Sequence, residues 1–153
     1  MKKVIWAAFL LISLFQIKGF SQDQGFGLGV KLGEPTGIDA KYWISNVNAL
    51  DFSLGYSFMR NDSRLYLSCD YLFHLEDVIK SSERLPLYYG FGARFLSREH
   101  ENGSLGLRGV AGIDWQSRNF PVDAFFEVVP VFTLFPSTAL DMEASIGVRY
   151  FFN

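Results

Sequence analysis

The segment ALDFSLGYSF, residues 49–58, alternates between large apolar side chains and small or charged ones. The large apolar positions are Leu50, Phe52, Leu54, Tyr56 and Phe58. The small or charged positions are Asp51, Ser53, Gly55 and Ser57. Successive side chains of a β-strand point to opposite faces of its sheet, so this period of two predicts a strand with one apolar and one polar face.

The same alternation recurs along the chain and predicts eight strands. They cover residues 25–33, 37–44, 49–58, 64–75, 87–96, 105–115, 122–134 and 140–152. Segments rich in Gly, Pro, Asn and Ser separate them, and these residue types favour turns. Because the connections are short enough for antiparallel neighbours, we expect an all-β, eight-stranded antiparallel up-and-down barrel.

The first connection carries a turn motif. Glu34, Pro35, Thr36 and Gly37 have proline at the second position and glycine at the fourth, as a type I β-turn prefers. A surface recognition loop is the alternative reading of these four residues. The longest connection, about residues 76–85, is the fourth, and it falls at the same end of the barrel as both chain termini.

Residues 1–21 have the layout of a secretory signal peptide. Lys2 and Lys3 precede an apolar run, and Gly19 and Ser21 supply the small residues of a cleavage site. The run is about 12 residues, short of the roughly 20 that a membrane-spanning helix needs. We therefore expect cleavage after Ser21 and one barrel domain over residues 22–153, with a retained N-terminal anchor as the alternative.

Composition argues against several functions. Removing residues 1–21 takes away three lysines and changes the formal charge from −2 to −5, without basic clusters that would favour nucleic acid. Cys69 is the single cysteine, so no internal disulfide can form. His74 and His100 are the two histidines and have no ligand-like spacing. We predict no metal, cofactor or catalytic residues.

The two faces predict a transmembrane barrel. A membrane barrel turns its apolar side chains to lipid and its polar ones inward. A soluble exported barrel that binds an apolar ligand would do the reverse, but about 40 large apolar side chains exceed the interior of eight strands. The inward face would then hold a paired network of charges, because unpaired buried charges are costly. Its predicted members are Asp51, Asp70, Arg94, Arg108, Asp114, Asp123, Glu127, Asp141, Glu143 and Arg149.

The end of the chain carries a recognisable pattern. Ser145, Gly147, Tyr150 and Phe152 match the polar, glycine and aromatic positions of the C-terminal signal that bacterial outer-membrane barrels present to their assembly machinery. The chain departs from that signal by ending on Asn153 rather than on an aromatic residue. The resemblance implies insertion into the outer membrane of a Gram-negative-type bacterium. Outer-membrane lipid, the barrel-assembly machinery and an unidentified extracellular or periplasmic protein are the expected partners.

Over the whole mature length the chain resembles small OmpA-like and OmpX-like barrels. Residues 27–43, 51–58, 70–74 and 85–94 further resemble a family of uncharacterised outer-membrane barrels with a GEPTG turn. These resemblances imply a fold and a location rather than an activity.

Some eight-stranded barrels modify lipid A, so a lipid-modifying enzyme is a second hypothesis. Its candidates are Ser68 with His74, or His74 with Glu76, but no local motif pairs a nucleophile with a base. We interpret His74 as a polar residue at the rim.

Overall fold

A computed structural model describes residues 25–57, 64–97, 103–135 and 137–152. They form eight strands: β1 (Gly25–Gly33), β2 (Thr36–Trp43), β3 (Asn48–Ser57), β4 (Arg64–Leu75), β5 (Leu87–Leu96), β6 (Ser104–Gln116), β7 (Val122–Phe135) and β8 (Ala139–Phe152). The predicted signal peptide, residues 1–21, lies outside the described residues.

Every strand pairs antiparallel with its sequence neighbour, and β8 pairs back with β1 to close the barrel. The predicted eight-stranded up-and-down fold is therefore confirmed, with each strand boundary within one residue of its predicted position. No helix in the described part of the chain is long and apolar enough to cross a membrane.

The apolar face of the barrel is its outer face. Val30, Phe91 and Leu140 are 59%, 63% and 73% exposed, although such side chains normally avoid water. On the inner face, Lys31 and Arg149 are each only 1% exposed. This orientation is the reverse of the one that a soluble barrel with an apolar interior requires.

Several inward glycines make room for a large side chain on the next strand. A Cβ on Gly112 would overlap the ring of Tyr88 and lie 2.7 Å from the Phe126 carbonyl oxygen. Gly147 lies under the ring of Phe125 in the same way, and Gly27 under that of Phe151. A narrow interior cannot hold large side chains at every position, so glycines alternate with rings and charged groups.

The first turn is tighter than the sequence predicted. Thr36 and Gly37, which we placed in a type I turn, are the first residues of β2, so only Glu34 and Pro35 connect the strands. The peptide bond between Glu34 and Pro35 is cis. The Thr36 hydroxyl donates to the Gly33 carbonyl oxygen at 2.9 Å and accepts from the Gly33 N–H at 3.1 Å, which ties the two strand ends together.

The rim opposite the termini is stepped. β1 ends at Gly33, which pairs with Ser145, whereas β8 extends six residues further, to Ala139. β7 stays paired with β8 as far as Thr133 opposite Ala139. The hairpin of β7 and β8 therefore projects above the short hairpin of β1 and β2.

Two glycines of β6, Gly112 and Gly109, allow a direct test of interior packing. We expect Gly112→Ala to lower the free energy of unfolding by about 1–3 kcal/mol, because its methyl group would displace the Tyr88 ring. Gly109→Ala is the matched control, since its Cβ would meet only Pro130 Cγ, at an ordinary 3.5 Å. Urea unfolding followed by tryptophan fluorescence measures both, and equal losses would contradict this packing.

A candidate site: the buried charge network

Arg149 is the centre of the interior charges at the end of the barrel that holds the termini. Its Nη1 lies 3.0 Å from Asp39 and 3.4 Å from Asp51, and its Nη2 lies 3.0 Å from Asp114. Its Nε donates to Asp123 at 2.9 Å. The planar guanidinium offers five donors in a fixed geometry, so one side chain can engage four carboxylates at once.

A glycine packs closely against the backbone at Arg149, and an aromatic ring packs against its guanidinium. Gly29 lies opposite it on β1, where a Cβ would approach the Arg149 Cα to 2.7 Å. The ring of Phe125, on β7, packs against the guanidinium, with 4.0 Å between the guanidinium carbon and the ring centroid. Cation–π contact with a desolvated ring adds to the ion pairs. Phe125 in turn occupies the space over Gly147.

Two lysines, one on β1 and one on β2, extend the network. Lys31 Nζ lies 2.9 Å from Asp39 and 2.8 Å from Glu127, and it also donates to Ser53 at 2.8 Å. Lys41 Nζ, on β2, reaches across the interior to Asp114 on β6 at 2.7 Å.

A second group of charges lies towards the opposite rim. Arg94 Nη1 donates to Glu143 at 2.5 Å, and its Nη2 donates to the Thr133 hydroxyl at 2.8 Å. Arg108 donates to the Tyr66 hydroxyl, which itself donates to Glu143 at 2.6 Å.

Arg108 also pairs with Asp70, across the intervening strand β5. Its Nε lies 3.0 Å from Asp70 Oδ1. Gly92 is the β5 residue between them, opposite Asp70 on one side and Arg108 on the other. A Cβ on Gly92 would overlap the Asp70 carboxylate, so this glycine opens the space that the ion pair crosses.

Buried acids outnumber buried cations among the described residues. Seven carboxylates are at most 3% exposed: Asp39, Asp51, Asp70, Asp114, Asp123, Glu127 and Glu143. Five cations are at most 4% exposed: Lys31, Lys41, Arg94, Arg108 and Arg149. The interior is thus crossed by ion pairs between distant strands and has a net acidic character. These ion pairs fill the interior of the barrel and connect strands that are not neighbours in the sheet.

The predicted network residues lie on this inner face. Nine of the ten are buried, and Asp141 stands nearer the rim, with 26% of its side chain exposed and Arg94 Nη2 at 3.5 Å. The prediction omitted Lys31, Asp39 and Lys41, although the alternation of β1 and β2 assigns all three to the polar face.

His74 corrects an expectation. We interpreted it as a polar residue at the rim, but it is buried. Its ring centroid lies 4.3 Å from that of Trp43, and its Nε2 lies 3.4 Å from Asp114. The strand continues to Leu75 and is paired there with Leu87, which keeps the ring inside the barrel.

The candidate hydrolytic groups are not brought together. Ser68 and His74 are six residues apart on β4, which at roughly 3.4 Å per residue separates them by about 20 Å. Glu76 lies in the connection after β4 and pairs there with Arg84 at 3.1 Å.

The residues of the C-terminal motif divide between the two faces of β8. Ser145 points inward and its hydroxyl donates to Glu127 at 3.2 Å. Gly147 lies beneath the Phe125 ring. Tyr150 and Phe152 are half exposed on the outer face, with 5.3 Å between their ring centroids.

The connection after β4 is the longest that the structure describes in full. It runs over residues 76–86 at the end of the barrel that also holds the termini, as the sequence indicated. Its last residues continue along β6, where Arg84 forms a bridge with Gln116. The Trp115 indole N–H donates to Glu83 at 3.3 Å, which fixes the connection against the outer wall.

Comparison with known proteins identifies the fold. The chain is similar to the crystal structure of the N-terminal β-barrel domain of OprF from Pseudomonas aeruginosa, with a TM-score of 0.63 and 14% sequence identity. The match covers 88% of this chain and 100% of that domain. No protein-family model and no curated protein matches the chain. The resemblance to a family with a GEPTG turn stays a prediction.

The role of Arg149 can be tested by removing its charge. We expect Arg149→Met to lower the free energy of unfolding by about 3–5 kcal/mol or to prevent folding, because four buried carboxylates lose their shared cation. Arg118→Met is the matched control, since Arg118 is exposed in the connection after β6. Urea titration of both purified variants measures the difference, and similar midpoints would contradict a stabilising network.

Proposed function

We propose that this protein is an integral β-barrel of the bacterial cell outer membrane whose lumen is filled by its own side chains. In this proposal it serves the envelope structurally or presents its rim to partner proteins, and it performs no catalysis. The observation that carries the proposal is a closed barrel with an apolar outer wall and a charged interior.

The outer wall has the composition that a lipid environment favours. Its exposed side chains include Val30, Leu54, Leu107 and Ile146 from four different strands. Water would penalise such a continuous apolar surface by about 25 cal/mol for each Å² exposed, whereas lipid removes that penalty. Closure also leaves no unpaired sheet edge in the hydrocarbon region, which a membrane-spanning sheet requires.

Aromatic residues on the outer wall support the same placement. Near the end that holds the termini, Phe73 stacks on Tyr89 with ring centroids 5.3 Å apart, and Tyr71 meets Phe73 at 5.0 Å. On the opposite wall, where β8 meets β1, Phe26 stacks with Phe152. Rings of this kind are enriched at the two membrane interfaces of barrels.

The filled interior distinguishes this proposal from a pore. An eight-stranded barrel is just wide enough for its own side chains, and here those side chains are bonded across the interior in ion pairs. A path for ions would require several buried pairs to break together. A lipid-modifying activity has no specific support from the described residues.

Export and assembly complete the proposal. The N-terminal segment 1–21 would direct secretion, and Ser145, Gly147, Tyr150 and Phe152 would engage the barrel-assembly machinery. The termini and the connection over residues 76–86 would then lie in the periplasm, and the stepped rim would face the exterior.

Gel mobility and fractionation test the proposal directly. We expect the protein to sediment with the outer membrane and to migrate differently with and without boiling, because a closed ladder of hydrogen bonds resists SDS until heated. In planar bilayers the same preparation should add no stable ion conductance. A protein recovered in the soluble periplasmic fraction, without a heat-dependent shift, would overturn the membrane location. Stable open channels would overturn the filled lumen.

The role of Phe152 in assembly can be measured separately from its contribution to stability. We expect Phe152→Ser to reduce the amount in the outer membrane of cells severalfold, whereas Phe135→Ser, a matched change at the other rim, leaves that amount unchanged. Both side chains are outward, with exposed fractions of 48% for Phe152 and 61% for Phe135. The purified variants should therefore refold with stabilities within about 1 kcal/mol of each other. Equal losses in cells would argue against recognition by assembly machinery.

A further inference from the structure

We propose that the projecting part of β8 is a docking edge for an extended segment of a partner protein. The proposal names a partner class for the outer rim and rests on the proposed function. The edge is the backbone of residues 139–144 on the side that faces β1, and we call it the β8 rim edge. An arriving strand would lengthen the sheet beyond the β1–β2 hairpin.

The pairing register shows how the edge arises. β1 pairs with β8 from Phe152 to Ser145, and the Glu34 N–H then donates to the Ala144 carbonyl oxygen at 3.0 Å. Beyond that bond no strand of the described chain pairs with β8 on this side. On its other side β8 remains paired with β7 to the end.

Strand geometry identifies which backbone N–H and C=O groups of β8 could bond to an added strand. Alternate residues of a strand direct both their N–H and their C=O to the same neighbour. Ala144 directs its carbonyl towards β1, so Leu140 and Met142 direct their amides and carbonyls to that side too. The β8 rim edge therefore presents two donors and two acceptors in strand geometry, which is the template for strand addition.

The lengths of β1 and β8 place the β8 rim edge outside the apolar band of the membrane, in water. The nine residues of β1, at about 3.4 Å each and a tilt near 40°, rise about 23 Å, close to the roughly 25 Å apolar band of such barrels. By the same arithmetic the six residues 139–144 rise about 15 Å further. An open edge is tolerated there, because water can satisfy the backbone until a partner replaces it.

The side chains along the edge specify the partner's chemistry. Leu140 and Met142 point outward and are 73% and 57% exposed. Asp141 faces the opposite side at the mouth of the barrel, where Arg94 approaches to 3.5 Å and part of the carboxylate remains open. A segment that alternates apolar with basic side chains would place the former beside Leu140 and Met142 and a cation beside Asp141.

A second copy of this chain fits the edge poorly. The two antiparallel registers that pair most of the edge with itself set Asp141 opposite either Asp141 or Glu143. Like charges directly opposite on neighbouring strands are destabilising. The favoured occupant is therefore another protein's extended segment.

The test uses the full-length protein refolded in detergent micelles and a seven-residue capped peptide in which lysine and valine alternate. We expect saturable binding by fluorescence anisotropy, together with slower amide hydrogen exchange at Leu140 and Met142. Two control peptides should bind at least about tenfold more weakly, a loss of roughly 1.4 kcal/mol. One replaces lysine with glutamate, and the other is N-methylated at alternate positions so that it cannot donate to a strand.

Variants of Met142 isolate the backbone contribution. Met142→Pro removes an edge-facing donor, which edge strands tolerate, and should weaken peptide binding about tenfold or more. Met142→Ala keeps the donor and should bind within a few-fold of the original chain. Hydrogen exchange at the edge and the N-methylated peptide still decide the question if the proline variant does not fold.

Three results would overturn the proposal: no binding to the folded barrel, equal binding of the N-methylated peptide, or protection that avoids residues 139–144. A dimer that forms through this edge in sedimentation experiments would also overturn it, in favour of a second copy. The heat-dependent gel shift is measured on the same sample. A loss of the shift contradicts the proposed membrane barrel, whereas an intact shift without binding contradicts only the docking edge.

Discussion

The guanidinium of Arg149 ties together five of the eight strands. From β8 it reaches Asp39 on β2, Asp51 on β3, Asp114 on β6 and Asp123 on β7. Sheet hydrogen bonds connect only neighbouring strands, so contacts of this kind fix the cross-section of the barrel. They are strong because the apolar wall keeps water away, and for the same reason each unpaired charge inside would be expensive.

Filling the interior this way imposes a second constraint, which is volume. The glycines at the inner face are the counterpart of the large groups, since Gly27 admits Phe151, Gly147 admits Phe125, and Gly92 admits Asp70. In an exposed strand these glycines would weaken the sheet. Inside the barrel they determine where a large side chain can pass over a neighbouring strand. The positions of the ion pairs therefore depend on the positions of the glycines.

Much of this architecture could be predicted from the sequence, because a period of two is preserved in every strand and turn residues mark the boundaries. The pairing of the charges could not. Arg149 and Asp39 are 110 residues apart, and their contact depends on the register accumulated around the barrel. The same ignorance of register led us to describe His74 as a polar residue at the rim, whereas its ring is buried beside Trp43 and Asp114. Lys31 was left out of the predicted network for a simpler reason. The alternation of β1 assigned it to the polar face, but its partners were not assigned.

The strands of the barrel end differently at its two rims. At the end that holds the termini β1 and β8 finish together, with Phe26 opposite Phe152, and the 76–86 connection is fixed to the wall by Glu83 and Trp115. At the other end β8 continues beyond β1 because its sequence still alternates, with Leu140 and Met142 outward and Asp141 inward. The interior network accounts for stability, and we place the proposed recognition at this uneven rim because backbone groups in strand geometry are left there without a neighbouring strand.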